Sequence, residues 1–293
     1  MNKKSFTLSL VFAFCCIAPS HADDFGVWTS AELSQKLGNT GLSADLGLGF
    51  RANNNWNSVD RWNIGFGLNY NICSFLSAGI GYDFIYSYNQ AEQKDNYNSS
   101  GVWRGYNLEN AYWRPKNRFH VDLKGKVAVG RFTFSLRERY QLTKYNHKWL
   151  RQDKYRFNKG TNLDGTSDYT YNGEGYLLRD GYPESEMELK EHKTKHYLRS
   201  RLQAEYDIPH VPLTPYIGWE VSNNLSEGFA VDKRRYCIGA DWKIVKGQNL
   251  SIGYVYNNGQ DDDDEGNLHV IEVSYKIKGL FWKDPAKKAK KNK

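Results

Sequence analysis

Beyond its first 22 residues the sequence has no apolar run long enough for a transmembrane helix. The chain has 293 residues and a mean hydropathy of −0.73, whereas a helix that spans a bilayer needs about 20 consecutive apolar residues. A helical membrane protein is therefore excluded. A membrane barrel is not, because its strands need an apolar residue only at every second position. The abundance of tyrosine (21) and glycine (26) suits such strands and their turns.

Cysteine is also scarce, with four residues in the whole sequence. Cys15 and Cys16 lie in a segment that we expect to be removed, so only Cys73 and Cys237 remain. An exported compartment would permit a disulfide between them. We favour two isolated buried thiols, because separation in space usually prevents a bond, but the sequence leaves the question open.

Catalytic motifs are missing from the sequence. It contains no Gly-x-Ser-x-Gly, His-Glu-x-x-His or Cys-x-x-Cys pattern. Four of the seven histidines, His147, His192, His210 and His269, lie in or next to predicted connections. No acid–base pair can be placed, so the sequence favours a protein that is not an enzyme and predicts no cofactor.

The positive charge of the chain is concentrated at its two ends. The formal net charge is +7, of which Lys3 and Lys4 supply two and the segment Lys283–Lys293 (six lysines, one aspartate) supplies five. The body between residues 23 and 282 is therefore close to neutral. This distribution argues against a nucleic-acid-binding surface and predicts a basic tail at 283–293.

The first 22 residues resemble a secretory signal peptide. Basic residues precede an apolar run from Phe6 to Ile17, and Ser20 and Ala22 provide small residues at the two positions that a signal peptidase recognises. The apolar run is too short to cross a bilayer. We therefore predict cleavage before Asp23 and export of the chain.

The segment Arg131–Tyr140 shows the period-two pattern of a β-strand. Phe132, Phe134, Leu136 and Tyr140 fall on one face, and arginine, threonine and serine fall on the other. In a water-soluble sheet the apolar face would lie in the core. In an outer-membrane barrel it would contact lipid, and the charged face would line the lumen.

Ten further segments show the same alternation, each with one apolar and one polar face. They are Phe25–Lys36, Leu42–Arg51, Trp62–Tyr70, Leu76–Tyr88, Phe119–Val129, Lys195–Tyr206, Leu213–Val221, Tyr236–Ile244, Leu250–Tyr256 and His269–Ile277. Segments of about 10 residues with this alternation are typical of transmembrane barrel strands.

The connections between these segments alternate in length. The longer ones are Asn89–Arg118, Asn146–Thr194, Asn223–Arg234 and Asn257–Asn267, and the alternation places all of them at one end of the sheet. Outer-membrane barrels combine short periplasmic turns with longer extracellular loops. The sequence therefore predicts an all-β, antiparallel up-and-down transmembrane β-barrel at residues 23–282, with its carboxyl end at the periplasmic side. Asn162–Gly175 is predicted to be a flexible surface loop.

The number of wall strands is predicted to lie between 10 and 12. Eleven segments are visible, but bacterial single-chain barrels have even strand numbers. We favour ten, with Phe25–Lys36 outside the wall as an entry segment or plug; a missed strand would give twelve.

With the apolar faces toward lipid, acids and bases collect in the lumen. The candidate lumen residues are Asp45, Asp83, Asp122, Lys124, Arg137, Arg139, Arg199, Arg201, Glu205, Glu220, Asp241 and Glu272. Buried charges must pair, so we favour a structural network of ion pairs. The alternative is that the arginines attract an anionic or phosphate group.

Two acidic features do not fit this pattern. Glu138 falls on the apolar face of its strand and is expected to lie at the headgroup level or in a bulge, where a carboxylate is tolerated. Asp261, Asp262, Asp263 and Asp264 are weak candidates for a Ca²⁺ site in an extracellular loop. A solvated, mobile loop is the favoured interpretation of that run.

Several stretches resemble a family of small exported barrels of Gram-negative bacteria known only as a domain of unknown function. The resemblance rests on Asn117–Gln141, Leu198–Leu202, Pro215-Tyr216, Glu220, Arg235-Tyr236, Gly239, His269–Ile271 and Tyr275-Lys276. It implies an outer-membrane barrel without an assigned activity or established catalytic residues. The chain differs from the family at its end, where a lysine-rich tail follows Phe281 and Trp282.

Together these observations predict a monomeric outer-membrane barrel with a structural or binding role, a charge-filled lumen and long extracellular loops. The expected partners are outer-membrane lipid, lipopolysaccharide and the barrel-assembly machinery, with no nucleic acid. Two alternatives stay open at this stage: a narrow porin for small solutes, and an outer-membrane hydrolase acting on lipid or glycan.

Overall fold

The computed structural model describes residues 24–53, 58–261 and 264–279, and this part of the chain is almost entirely β-strand. Its one helical element is the 3₁₀ turn Leu225–Glu227. Among the described residues, no helix has the length and apolar character needed to cross a bilayer. The predicted signal peptide (1–22) and the basic tail (283–293) lie outside the described residues.

The strands of the described chain are numbered in order. They are β1 (Asp24–Lys36), β2 (Leu42–Asn53), β3 (Ser58–Asn71), β4 (Leu76–Asn89), β5 (Glu92–Tyr97), β6 (Trp103–Glu109), β7 (Tyr112–Val129), β8 (Phe132–Tyr145), β9 (Lys148–Lys159), β10 (Tyr169–Tyr171), β11 (Glu174–Leu178), β12 (Glu184–Lys190), β13 (Lys193–Tyr206), β14 (Leu213–Asn224), β15 (Ala230–Val245), β16 (Gln248–Asp261) and β17 (Asp264–Lys278).

Eleven of these strands form a closed barrel in the order β1-β17-β16-β15-β14-β13-β8-β7-β4-β3-β2. The predicted fold class, an all-β up-and-down barrel, is confirmed. The preference for ten wall strands is wrong, because β1 is a full member of the wall. It pairs antiparallel with β2 and parallel with β17, from Asp24 opposite Leu268 to Ser34 opposite Lys278. An odd number of strands makes the closing pair parallel.

The two faces of the barrel wall differ as the period-two pattern predicts. Large apolar side chains point outward and are exposed on the isolated chain: Phe66 by 54%, Leu136 by 49% and Ile217 by 60%. On β8 the same face holds Phe132 and Tyr140. These two residues delimit a nine-residue stretch of β8, and a tilted strand needs about 9–11 residues to cross a membrane.

The described chain forms two compact units. The first contains the described residues up to 83, residues 119–142 and the described residues from 195 onward, and the second contains residues 84–118 and 143–194. The second unit holds β5, β6, β9, β10, β11 and β12, which form a six-stranded sheet with β9 at its centre. Sequence analysis predicts long connections at Asn89–Arg118 and Asn146–Thr194, and the wall strands are separated by long segments at both places. The expectation that these segments are loops is wrong for most of their length, because they form strands. Asn162–Gly175 contains turns together with all of β10.

An aromatic cluster explains why the second unit can fold. Trp103 stacks on Tyr171, with ring centroids 4.3 Å apart, and on Tyr169 at 5.5 Å, while Tyr176 contacts it edge-on. Trp103, Phe157 and Tyr176 are buried. Aromatic residues of this size bury enough apolar area to stabilise a small sheet.

The two other connections that were predicted to be long are short. Strand β14 continues to Asn224 and β15 begins at Ala230. Strand β16 ends at Asp261 and β17 begins at Asp264. The polar residues in these segments therefore belong mainly to strands and not to long loops.

Candidate functional site in the barrel lumen

Glu220 lies at the centre of the main charge cluster in the lumen. Strand alternation turns it inward on β14, and its side chain is almost fully buried. Arg199 Nη2 donates to Oε1 at 2.5 Å, Arg137 Nη2 donates to Oε2 at 2.8 Å, and Arg235 Nη1 lies 3.4 Å from Oε1. Three guanidinium groups from three strands therefore share one carboxylate. Arg199 also donates to Gln141 at 3.0 Å.

A second ion pair joins β7 and β8. Arg139 binds Asp122 through both Nε (2.6 Å) and Nη2 (2.7 Å), which is the bidentate geometry that arginine forms with carboxylates. The ring of His120 lies between Asp83 and Asp122, with each ring nitrogen 3.7 Å from the nearer carboxylate oxygen.

The remaining predicted lumen residues are less tightly connected. Glu205 lies 3.5 Å from Lys126 Nζ and accepts from Gln203 at 3.1 Å. Arg201 Nη2 lies 3.7 Å from the sulfur of Cys237. Among the described residues, Lys124, Asp241 and Glu272 form no ion pair within 4.0 Å; Lys124 and Glu272 line the lumen cavity described next.

The lumen contains a cavity of about 580 Å³. One wall is built from β2, β3 and β4, whose inner faces carry glycine at Gly47, Gly49, Gly65, Gly67, Gly79 and Gly81. At Gly47 a Cβ atom would have no other atom within 4 Å, whereas at Gly81 it would clash with the His120 ring. The absence of a side chain thus leaves open space at Gly47 and makes room for the His120 ring at Gly81.

Several lumen residues of this site were not predicted from the sequence, among them Arg235, Lys276 and Glu32. Arg235 completes the Glu220 cluster and also donates through Nε to Asn257 Oδ1 at 2.6 Å. Lys276 and Glu32 form an ion pair between β17 and β1. Arg235 could have been found from the alternation of β15, because it shares the inner face with Cys237 and Asp241. Glu32 was missed because β1 was not assigned to the wall.

Trp28 lines the lumen and packs against apolar side chains. It is buried together with Val255, Leu268 and Val270. The guanidinium carbon of Arg51 lies 3.7 Å from the Trp28 ring centroid, and that of Arg235 lies 5.0 Å from it. Cations over an indole ring are stabilised by its quadrupole, so an inward-facing tryptophan coexists with the lumen arginines.

Glu138 remains on the outward face of β8. Its Oε2 accepts a hydrogen bond from Ser200 Oγ at 2.6 Å, and Ser200 lies on the outward face of the neighbouring strand β13. Tyr140, two residues further along β8, bonds His196 Nδ1 at 2.7 Å. Glu138 therefore has polar neighbours on the outer surface, and its placement at the headgroup level stays a prediction.

The weak candidates for a metal site are not covered by the structure. Asp262 and Asp263 lie outside the described residues, and the side chains of Asp261 and Asp264 are not described either. In the part of the chain that is described, no group of three or more His, Cys, Asp or Glu residues is arranged to hold a metal ion. Cys73 and Cys237 are free thiols, and Cys73 is exposed rather than buried.

The second unit has its own buried charge, at Glu109. The side chain is almost fully buried and accepts from Lys190 Nζ at 2.7 Å and from Lys94 Nζ at 2.9 Å. Burial alone would raise the pKa of Glu109, but the hydrogen bonds from the two lysines outweigh burial, so this pKa lies below its usual value.

Comparison with known proteins gives a family and two barrel structures. A family model described as "Protein of unknown function (DUF2490)" matches residues 25–267. A structure of the NanC porin in a rhombohedral crystal form is 13% identical, with a TM-score of 0.39, over 87% of this chain and 97% of that chain. The outer membrane protease OmpT from Escherichia coli is 11% identical, with a TM-score of 0.35, over 89% and 93%. No curated protein sequence matches the chain.

Proposed function

The chain belongs to a protein family of unknown function (DUF2490), and we propose that this protein is an outer-membrane β-barrel whose lumen is closed by its own charged side chains. In this hypothesis the barrel does not conduct solutes. It has a structural or binding role, and the chain also contains a second folded sheet.

The observation that carries this proposal is the contact of Glu220 with three arginines. Arg137, Arg199 and Arg235 come from β8, β13 and β15, which with β14 are four adjacent strands of the wall, and their guanidinium groups converge on one carboxylate. Charges that are removed from bulk water are stable only when they are paired and hydrogen-bonded. In this proposal such a cluster fills one side of the lumen and narrows the path that a solute would have to take.

The exposed apolar band on the outer face supports a location in the outer membrane. A monomeric soluble protein rarely exposes contiguous apolar surface of this extent, and a closed barrel satisfies the backbone hydrogen bonds of a membrane-spanning chain. In this proposal outer-membrane lipid and lipopolysaccharide surround a monomer that the barrel-assembly machinery has inserted.

Conductance across planar bilayers tests the closed lumen. We expect the refolded wild-type protein to give no steady current. Glu220→Gln should give a flickering, anion-selective current, because three guanidinium groups lose their shared carboxylate. Glu205→Gln is the matched control, since Glu205 contacts a single lysine at 3.5 Å, and it should stay silent. Steady open channels in the wild type would overturn the proposal and support a narrow pore instead.

A further inference from the structure

The lumen cavity is an open space that the ion pairs leave unfilled. Its volume of about 580 Å³ lies within the range of small-molecule sites, roughly 300–1,000 Å³. The space exists because the inner faces of β2, β3 and β4 carry glycines, and Gly47 has nothing within 4 Å of its Cβ position. A single substitution at Gly47 would place a side chain in this space.

Two carboxylates without a lysine or arginine partner face one side of this cavity. Asp45 Oδ2 accepts from Asn69, while its other oxygen, Oδ1, is buried and has no hydrogen-bond partner. Asp83 has only the 3.7 Å contact with the ring of His120. Across the described ranges, neither aspartate forms an ion pair with a lysine or an arginine, although both line the cavity.

Basic groups without a full set of acceptors face the same cavity from β7 and β8. Lys124 lines it and, within the described chain, has no carboxylate within 4.0 Å. The Nε of Arg137 is buried and donates to no acceptor, although Nη2 binds Glu220. The neighbouring pair of Asp122 and Arg139, in contrast, is satisfied internally. Unmatched groups of both signs therefore line one space.

We propose that this cavity binds a small zwitterion, with its ammonium group toward Asp45 and Asp83 and its carboxylate toward Lys124 and Arg137. A simple anion or cation would neutralise one set and leave the other unmatched. A ligand that carries both charges at its two ends can pair with both sets, which removes the penalty for unpaired charge in a low-dielectric interior. This inference deepens the binding role in the proposed function and rests on it only in that the barrel lumen is the place of binding; it does not require the lumen to be closed.

Binding to the refolded wild-type protein in detergent micelles, measured by titration calorimetry, tests the ligand class. The probes are trialanine, N-acetyl-trialanine, trialanine amide and maltose. We expect trialanine to bind and each singly charged analogue to bind about 10-fold to 100-fold more weakly, because each loses one charge-assisted set of hydrogen bonds. Maltose should not bind. Equal binding of all four probes, or no binding of trialanine, would overturn the proposal.

Cavity-filling and charge variants test the location of the site. Gly47→Leu should abolish trialanine binding, whereas Gly125→Leu should not. Gly125 is the matched control, because its Cβ position is also open but lies on the lipid-facing side of β7. Asp83→Asn should weaken the binding of trialanine and trialanine amide and leave the binding of N-acetyl-trialanine unaffected. Lys124→Gln should weaken the binding of trialanine and N-acetyl-trialanine and leave the binding of trialanine amide unaffected.

Heat-dependent mobility on gels shows whether each variant forms the barrel, so a loss of binding can be separated from a loss of folding. Unchanged trialanine affinity in a folded Gly47→Leu variant would overturn the assignment of the site. The bilayer current is a separate readout: a conducting wild type that binds trialanine would overturn the closed lumen and leave the zwitterion site standing.

Discussion

Replacing Glu220 by glutamine should destabilise the barrel strongly while preserving the volume of the side chain. The carboxylate is almost fully buried and has arginine contacts at 2.5, 2.8 and 3.4 Å. Removing one partner from a buried ion pair costs about 3–5 kcal/mol, because the remaining charge is left without compensation. We expect the free energy of unfolding to fall by about that amount.

The measurement is unfolding in urea of the protein refolded into lipid vesicles, followed by tryptophan fluorescence. Glu205→Gln provides the comparison, because the pair of Glu205 with Lys126 has a separation of 3.5 Å and is partly exposed. Exposed pairs contribute about 0–1 kcal/mol. Salt at 0.5 M should reduce the small effect of Glu205→Gln and leave the effect of Glu220→Gln almost unchanged, because buried pairs are screened less. Equal losses for both variants, or a loss below about 1 kcal/mol for Glu220→Gln, would refute a closed charge cluster.

Three further predictions concern other parts of the molecule. Glu138→Leu should change the unfolding free energy in detergent by about 0–1 kcal/mol, because a carboxylate near the membrane interface is tolerated; a larger change would contradict its placement at the headgroup level. The second unit should lose stability in acid: the pKa of Glu109 is depressed in the folded chain from the ordinary value of 4.5, so its contribution is present above pH 4.5 and is lost as the pH falls through the folded pKa. Hydrogen exchange of residues 84–118 and 143–194 between pH 3 and pH 7 checks this, and Glu109→Gln should flatten the profile; an unflattened profile would assign the acid sensitivity to another group. Trp103→Ala should destabilise the second unit by about 3–5 kcal/mol and speed its proteolysis while the barrel keeps its heat-dependent gel mobility; loss of that mobility would show that the barrel depends on the aromatic cluster.

Alternation along the chain was sufficient to predict the barrel wall and its two faces. The segment Arg131–Tyr140 has the predicted orientation, with Phe132 and Leu136 outward and Arg137 and Arg139 paired to acids inside. Period-two patterning is informative here because lipid and lumen impose opposite requirements on alternate residues.

The strand count and the second sheet could not be obtained in this way. Strand β1 was set aside because an even number of strands was assumed, and the hydrogen bonds that close a barrel leave no local signal in the sequence. Most strands of the second unit are short and polar on one face, so the amino-acid composition of this unit resembles that of a loop. Aromatic residues such as Trp103, Tyr169 and Tyr171 were the available signal of a folded unit, because solvated loops contain few aromatic residues.

Ion-pair partners were also beyond sequence reasoning. Alternation places Arg199, Arg201 and Glu220 in the lumen, but the choice of partner depends on the stagger between strands. Arg201 lies beside Cys237, whereas Arg199 reaches Glu220. A list of inward-facing residues therefore predicts the composition of a network without its connections.

The parallel seam between β1 and β17 has a topological consequence for export. In an up-and-down barrel with an even number of strands, both chain ends lie at the same rim. Here residue 24 lies at the rim where β17 begins, and residue 278 lies at the opposite rim. If the short turns face the periplasm, the amino end of the first strand must be carried across the bilayer while the carboxyl end of the last strand stays behind. An affinity label placed just before residue 24 would then be accessible on intact cells, and one placed after residue 279 would not.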